Sequence, residues 1–157
     1  MLALVNEIGA EEVQIQTERL DISHRDERRL IKAVDGKVTL WIVAVLEDHV
    51  LGSAEISRGR QRKNQHVAEV GIALRRDARG VGLGSAMMRS MLRWARTVGI
   101  RKVFLGVFSS NRAAIRLYRH LGFVQEGRLK GQVVLHGKPA DVLLMSLWLG
   151  QKRHGHT

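Results

Sequence analysis

The chain of 157 residues contains no cysteine, a single proline and a single tyrosine. Without thiols there is no disulfide, no thiolate-held zinc and no cysteine nucleophile. One proline among 16 glycines argues against a disordered or low-complexity chain. Aromatic residues make up only 4%, which disfavours a base-stacking platform for single-stranded nucleic acid. No apolar run approaches the roughly 20 residues of a membrane-spanning helix, so no membrane partner is expected. The opening MLALVNEIGAEEVQ carries acids and no early Lys or Arg, a poor signal peptide, and the expected location is cytoplasmic. The length suits one domain with its own core, residues 1–150, followed by a frayed tail, residues 151–157.

Acidic residues are also few. Asp and Glu number 15 against 26 Lys and Arg, a formal charge of +11. This balance favours a polyanionic partner, whether nucleic acid, a phosphorylated ligand or an acidic surface. A solvated basic surface is the plain alternative. Arginines spread through ERRL (27–30), RGRQRK (58–63), RRDARG (75–80) and RLYRH (116–120), so charge alone selects no partner.

The hydrophobic pattern predicts an ordered series of elements. LALVNEIG reads as a short helix ending at Gly9, and Ser23 as the cap of a second helix running to about Val34. TLWIVAVLE (39–47) and VLGSAEIS (50–57) read as strands of a hairpin turning at Glu47-Asp48-His49, with RGRQRKNQ (58–65) as a basic loop. HVAEVGIAL (66–74) is a third strand. Leu83, Met87, Met91, Ala95 and Val98 form one helical stripe ended by Gly99. KVFLGVF (102–108) is a buried strand, and Asn111 caps a helix closed by Gly122. Two further strands, FVQEGRLKGQVVL and ADVLLMSLWL, join through His136–Pro139. The fold class is α/β (α+β): a mixed central sheet flanked by helices.

Two stretches carry chemistry. Arg79-Gly80-Val81-Gly82-Leu83-Gly84 lies between a strand and a helix. Its glycines allow positive φ and close backbone approach, and the helix start behind them offers free N–H groups and a positive dipole end. Arg79 adds a bidentate phosphate donor. A phosphate or pyrophosphate site follows; an ordinary glycine-rich turn is the alternative. A Walker loop would need Gly-Lys-Ser/Thr, and Gly84-Ser85 has no Lys between. A dinucleotide fold would need an acid roughly 20 residues on, where KVFLGVF has none.

The second stretch is Asn111-Arg-Ala-Ala-Ile-Arg-Leu-Tyr118-Arg-His-Leu-Gly122-Phe123. Together the two resemble the GNAT acetyltransferase superfamily. Arg79-x-x-Gly82-x-Gly84 is similar to its R/Q-x-x-G-x-G/A acetyl-CoA signature, and N-x-x-A-x-x-L-Y-x-x-x-G-F to its second motif. The resemblance covers about residues 39–149. It implies a single GNAT-like domain whose splayed parallel strands, 66–74 and 102–108, admit the pantetheine arm of acetyl-CoA as a pseudo-strand. Backbone groups of Ile72 and Leu74 would then bond that arm. Amides from Arg79 through Gly80, Val81, Gly82, Leu83 and Gly84 to Ser85 would hold the pyrophosphate, with Asn111 and Ala114 beside the arm.

The resemblance further implies direct transfer of acetyl to a primary amine: an amino acid, a peptide N-terminus or another small amine. Tyr118 takes the general-acid position; a packing aromatic is its alternative. Glu69 is the implied base, acting through water, and Glu55 the second candidate. Where relatives that acetylate peptide termini often carry L-E-V, this chain has Leu105-Gly106-Val107. No metal site is expected; His154 and His156 fall in the tail. A homodimer through the last strands is expected. The rival reading is a catalytically weak module of this fold that binds nucleic acid or the ribosome through its basic surface.

Overall fold

The computed structural model describes residues 36–150. The two helices expected before Asp35 and the tail lie outside the described residues. The elements are β1 (Thr39–Leu46), β2 (His49–Arg58), β3 (Val67–Leu74), α1 (Leu83–Thr97), β4 (Lys102–Phe108), α2 (Arg112–His120), β5 (Val124–Leu135) and β6 (Lys138–Trp148). The strands form one sheet in the order β1-β2-β3-β4-β6-β5. Every neighbouring pair is antiparallel except β3 and β4, which run parallel.

Both helices cover the same face of the sheet. Met87, Met88, Met91, Leu92 and Ala95 of α1 pack on Ala54 and Ile56 of β2 and on Ala68 and Val70 of β3. Ile115 and Tyr118 of α2 join Val103, Leu105 and Val107 of β4 with Leu143 and Met145 of β6. These strand residues sit at every second position, as a half-buried strand requires. Burying one such side chain is worth about 1.5–3 kcal/mol. On β1 the alternation is visible directly: Leu40, Ile42 and Ala44 pack against the core, while Val43 and Val45 are exposed.

Both hairpins close in tight turns. Glu47 and Asp48 have φ of 46° and 65°, and His136 and Gly137 have 49° and 73°; a two-residue turn with positive φ at both positions suits the twist of antiparallel strands. The turns are therefore shorter than the sequence suggests. His49 belongs to β2, opposite Leu46, and Pro139 belongs to β6, opposite Val134. Within β5 the register slips between Leu129 and Val133. There Asp141 accepts the Gly131 N–H at 2.8 Å and the Arg128 Nε–H at 2.6 Å. The Gly131 amide, followed by Arg128, holds its carboxyl below the usual range. Asp141 thus fixes an irregular strand. No helix among the described residues is long and apolar enough to cross a membrane.

Leu105 is 1% exposed at the centre of this core. Leu105→Ala should lower the unfolding free energy by about 2–5 kcal/mol, read from the urea midpoint at constant slope. A loss below about 1 kcal/mol would contradict its place in a close-packed interior.

Candidate active site

β3 and β4 pair only at Val67–Lys102, Ala68–Val103 and Glu69–Phe104. Beyond these the strands part, although β3 continues to Leu74 and β4 to Phe108. The backbone alternation of β3 is set by its other neighbour. Val67 accepts the Gly59 N–H, and the Arg75 N–H just past the strand donates to Leu51, both at 2.9 Å. Odd-numbered residues therefore turn their N–H and C=O towards β2, and Ile72 and Leu74 turn theirs into the gap.

A cleft of about 250 Å³ occupies the gap. Ile72 and Leu74 form one wall. Arg79, Gly80, Gly82, Gly84 and Ser85 line the mouth, and Asn111, Ala113, Ala114, Leu117 and Tyr118 form the other wall. Sequence reasoning missed Ala113 and Leu117. The Ala-Ala pair and the helical i, i+3 step from Ala114 were the signal available.

Glycine backbone forms much of the mouth. Gly80 and Gly82 have φ of 74° and 85°, a region that costs a side-chain-bearing residue roughly 1–2 kcal/mol. A Cβ at either position would meet nothing within 4 Å, so the glycines serve conformation. Gly84 serves proximity: a Cβ there would lie 3.2 Å from Leu74 Cδ1 and 3.3 Å from Leu117 Cδ2. Gly82 caps α1 with no side-chain hydrogen bond and no acid in the first turn. The first bond to the Gly82 carbonyl comes from Ala86, so the amides of Leu83, Gly84 and Ser85 lack helical partners and sit at the positive dipole end. Val81 is 74% exposed and does not line the cleft, and Leu83 packs against the core.

Arg79 differs from expectation. Its Nε and Nη2 both donate to the Leu74 carbonyl, at 3.0 and 2.8 Å. The guanidinium ties the glycine loop back onto β3 through one edge, while Arg79 still lines the cleft. The Leu74 carbonyl expected to meet the pantetheine is the atom that accepts it.

Asn111 is 9% exposed, and its Oδ1 caps α2 by accepting the Ala114 N–H at 3.1 Å. α2 begins beyond the end of β4 and returns along it, which places Tyr118 about 10 Å deeper than Asn111 along the helix axis. Tyr118 is 7% exposed, with its ring 5.8 Å from that of Phe123. Burial pushes the phenol up to about 12, since an apolar surrounding disfavours the anion.

Glu69 is exposed and does not line the cleft. It is the last β3 residue paired with β4, at the fork of the two strands, and strand alternation puts it on the face opposite the helices. Glu55 shares that face and accepts the Ser57 Oγ–H at 2.8 Å, with Thr39 Oγ1 3.0 Å from Ser57 Oγ. Among the described residues no group of His, Asp and Glu could hold a metal ion.

Comparison with known proteins agrees with this geometry. Residues 5–123 match the acetyltransferase (GNAT) family. The chain is 32% identical over 124 residues to YwnH of Bacillus subtilis (strain 168), a protein named for phosphinothricin acetylation, covering 78% of this chain and 69% of that one. It is 30% identical over 109 residues to the L-amino acid N-acetyltransferase AaaT of Escherichia coli (strain K12), covering 67% and 65%. A GNAT-family acetyltransferase from Streptococcus pneumoniae superposes with a TM-score of 0.85 at 25% identity, covering 95% of this chain and 91% of that one. A GNAT phosphinothricin acetyltransferase from Sinorhizobium meliloti, crystallised with acetyl-CoA, gives 0.84 at 25% identity, covering 99% and 84%. The forked strands, the amide-lined loop and the motif matches have one common explanation: the chain belongs to the GNAT family of acetyltransferases, which use acetyl-CoA as co-substrate.

Proposed function

We propose that the protein transfers acetyl from acetyl-CoA directly to the primary amine of a small acceptor bearing a carboxylate, of the α-amino acid type. The observation that carries this reading is the parting of β3 and β4 after Glu69 and Phe104, with bare amides at the mouth and a buried phenol within. The gap fits an extended arm: Ile72 and Leu74 offer it a strand edge, and Gly84 and Ala114 keep side chains out of its path. The amides between Gly80 and Ser85 hold the pyrophosphate at the α1 terminus. Arg79 keeps that loop shaped, and the Asn111 side-chain amide lies beside the arm.

Bound acetyl-CoA supplies an activated thioester carbonyl. The acceptor nitrogen attacks that carbon, the C–N bond forms, and the C–S bond breaks. Tyr118 donates its O–H to the departing sulfur. Burial acts on the thiolate as it does on the phenol, so both anions are disfavoured together and the proton passes between groups in one dry pocket. Glu69, exposed at the fork on the face opposite the helices, takes the ammonium proton through water. The net positive charge suits an acceptor with a carboxylate and repels a polyamine. Relatives named for L-amino acids and for L-methionine sulfoximine support the same class.

Tyr118→Phe should lower kcat by about 10²–10⁴-fold while acetyl-CoA affinity stays unchanged; full turnover would remove the general-acid role. Glu69→Gln should depress kcat/KM at neutral pH more than Glu55→Gln does, and the reverse order would move the base to Glu55. In a thiol-release assay, L-amino acids should turn over and polyamines should not.

Tyr118, the only tyrosine, also reports its own burial. Its phenolate absorbance should rise with a midpoint near 12 in the native protein and near 10 in denaturant. The sign follows from proton binding. Between those values the native state holds a proton that the unfolded chain has lost, so stability is constant below pH 10 and falls as pH climbs towards 12. A native midpoint near 10 would mean the phenol is solvated.

A further inference from the structure

Between Asp77 and Glu126 the chain carries no acidic residue, and that stretch contains both helices. α1 displays Arg89, Arg93 and Arg96, and α2 displays Arg112, Arg116 and Arg119, all six exposed. Both sets follow i, i+4, i+7 spacing, which lines three guanidinium groups along one side of each helix. Like charges so spaced repel one another and weaken a helix; the arrangement becomes favourable once an anion lies along it.

No carboxylate among the described residues relieves the stripes. Arg89 Nε reaches Ser85 Oγ at 3.4 Å, Arg93 Nη2 reaches Ser90 Oγ at 3.1 Å, and Arg96 Nη1 reaches the Leu92 carbonyl at 3.4 Å. These are neutral groups of the same helix. Ion pairs among the described residues are formed by Arg75, Lys102 and Arg128.

The stripes open onto two grooves flanking α2. One, of about 270 Å³, lies between α1 and the end of α2, lined by Arg89, Arg93, Arg96 and His120. The other, of about 460 Å³, lies on the opposite flank, where Arg112, Arg116 and Arg119 face Arg128 across Ile115 and Leu143. Neither shares a lining residue with the acetyl-CoA cleft.

What the surface lacks identifies the ligand. Its exposed large apolar residues lie on strands, such as Val43, Val45, Val124 and Trp148, or, for Val81, in the glycine loop, and none lies on α1 or α2. The Trp94 indole packs against the core and donates its N–H to the Gly36 carbonyl at 3.0 Å. A protein partner would need an apolar or aromatic anchor, and unpaired bases would need a stacking ring. A duplex backbone needs neither. It presents one charge per roughly 1.7 Å of axis, and each stripe runs about 10 Å from first to third arginine.

We infer that the outer faces of α1 and α2 form one surface that grips the phosphate backbone of a nucleic-acid duplex without reading its bases. Binding draws on counterion release, so it weakens linearly in log salt with a slope near −0.9 per phosphate contact.

The test is fluorescence anisotropy of a labelled random-sequence DNA duplex and its RNA counterpart, titrated with the full-length protein over a salt series. The glutamine triple variant at Arg89, Arg93 and Arg96, and that at Arg112, Arg116 and Arg119, should each flatten the salt slope by about 2–3. Acetyl transfer should be unchanged in both, which also shows that they fold. The single variants Arg93→Gln and Arg116→Gln should each flatten the slope by about 1 if a triple variant is lost to misfolding. Lys130→Gln with Lys138→Gln, on the β5–β6 hairpin, should leave it nearly unaltered. The inference is overturned by no duplex binding at low salt, by stripe variants matching the hairpin control, or by tighter binding to a single strand or to polyglutamate. Acetyl transfer is measured separately, so its failure would leave this result intact.

Discussion

A parallel strand pair that stops after Glu69 and Phe104 is the constraint on which the rest of the molecule rests. Hydrogen-bonding groups in a sheet interior need partners, and here the even-numbered groups of β3 beyond Glu69 have lost their neighbouring strand. The antiparallel ladders on either side hold β3 and β4 in place while they diverge: β2 pairs along β3 as far as Leu74, and β6 pairs along all of β4. The gap is thus stabilised by its flanks, and it supplies a ready strand edge for an extended ligand.

Helix placement follows from the same feature. Both helices lie on one face, each beginning near the open end of the fork, so the α1 amides and the Asn111 cap converge at its mouth. Apolar packing of Leu83, Met87, Met88 and Met91 fixes α1 through its side chains, which leaves the terminal amides available. The methionine and leucine side chains that form the core also desolvate Tyr118. One interior therefore both stabilises the fold and pushes the phenol up to about 12.

Much of this could be read from the sequence, because the relevant signals are local. β4 and the start of α2 were delimited by apolar runs and by Asn111, whose cap bond is present. The glycines at 80, 82 and 84 marked a turn that lines the cleft, and the motif residues Asn111, Ala114 and Tyr118 line it too. What sequence could not supply were tertiary choices. Arg79 was read as a phosphate donor on residue type, but a guanidinium five residues past a strand end can equally satisfy that strand's last carbonyl, and here it does. The tightness of the His136-Gly137 turn was hidden because Pro139 suggested a break; at position 139 the pyrrolidine ring is tolerated opposite Val134 on the outer hairpin. The exposure of Glu69 on the far face, and the separation of the basic helical surface from the cleft, depend on how the elements pack and have no local signature.

Gly84 shows how finely the crevice is gauged. The side chains of Leu74 and Leu117 approach it from β3 and from α2, leaving just the thickness of a bare α-carbon between them. The helix start thereby works as a shim between the two walls. A single methyl at that point would oblige the Leu74 and Leu117 side-chain ends to give way by a few tenths of an ångström, and those same side chains wall the cleft.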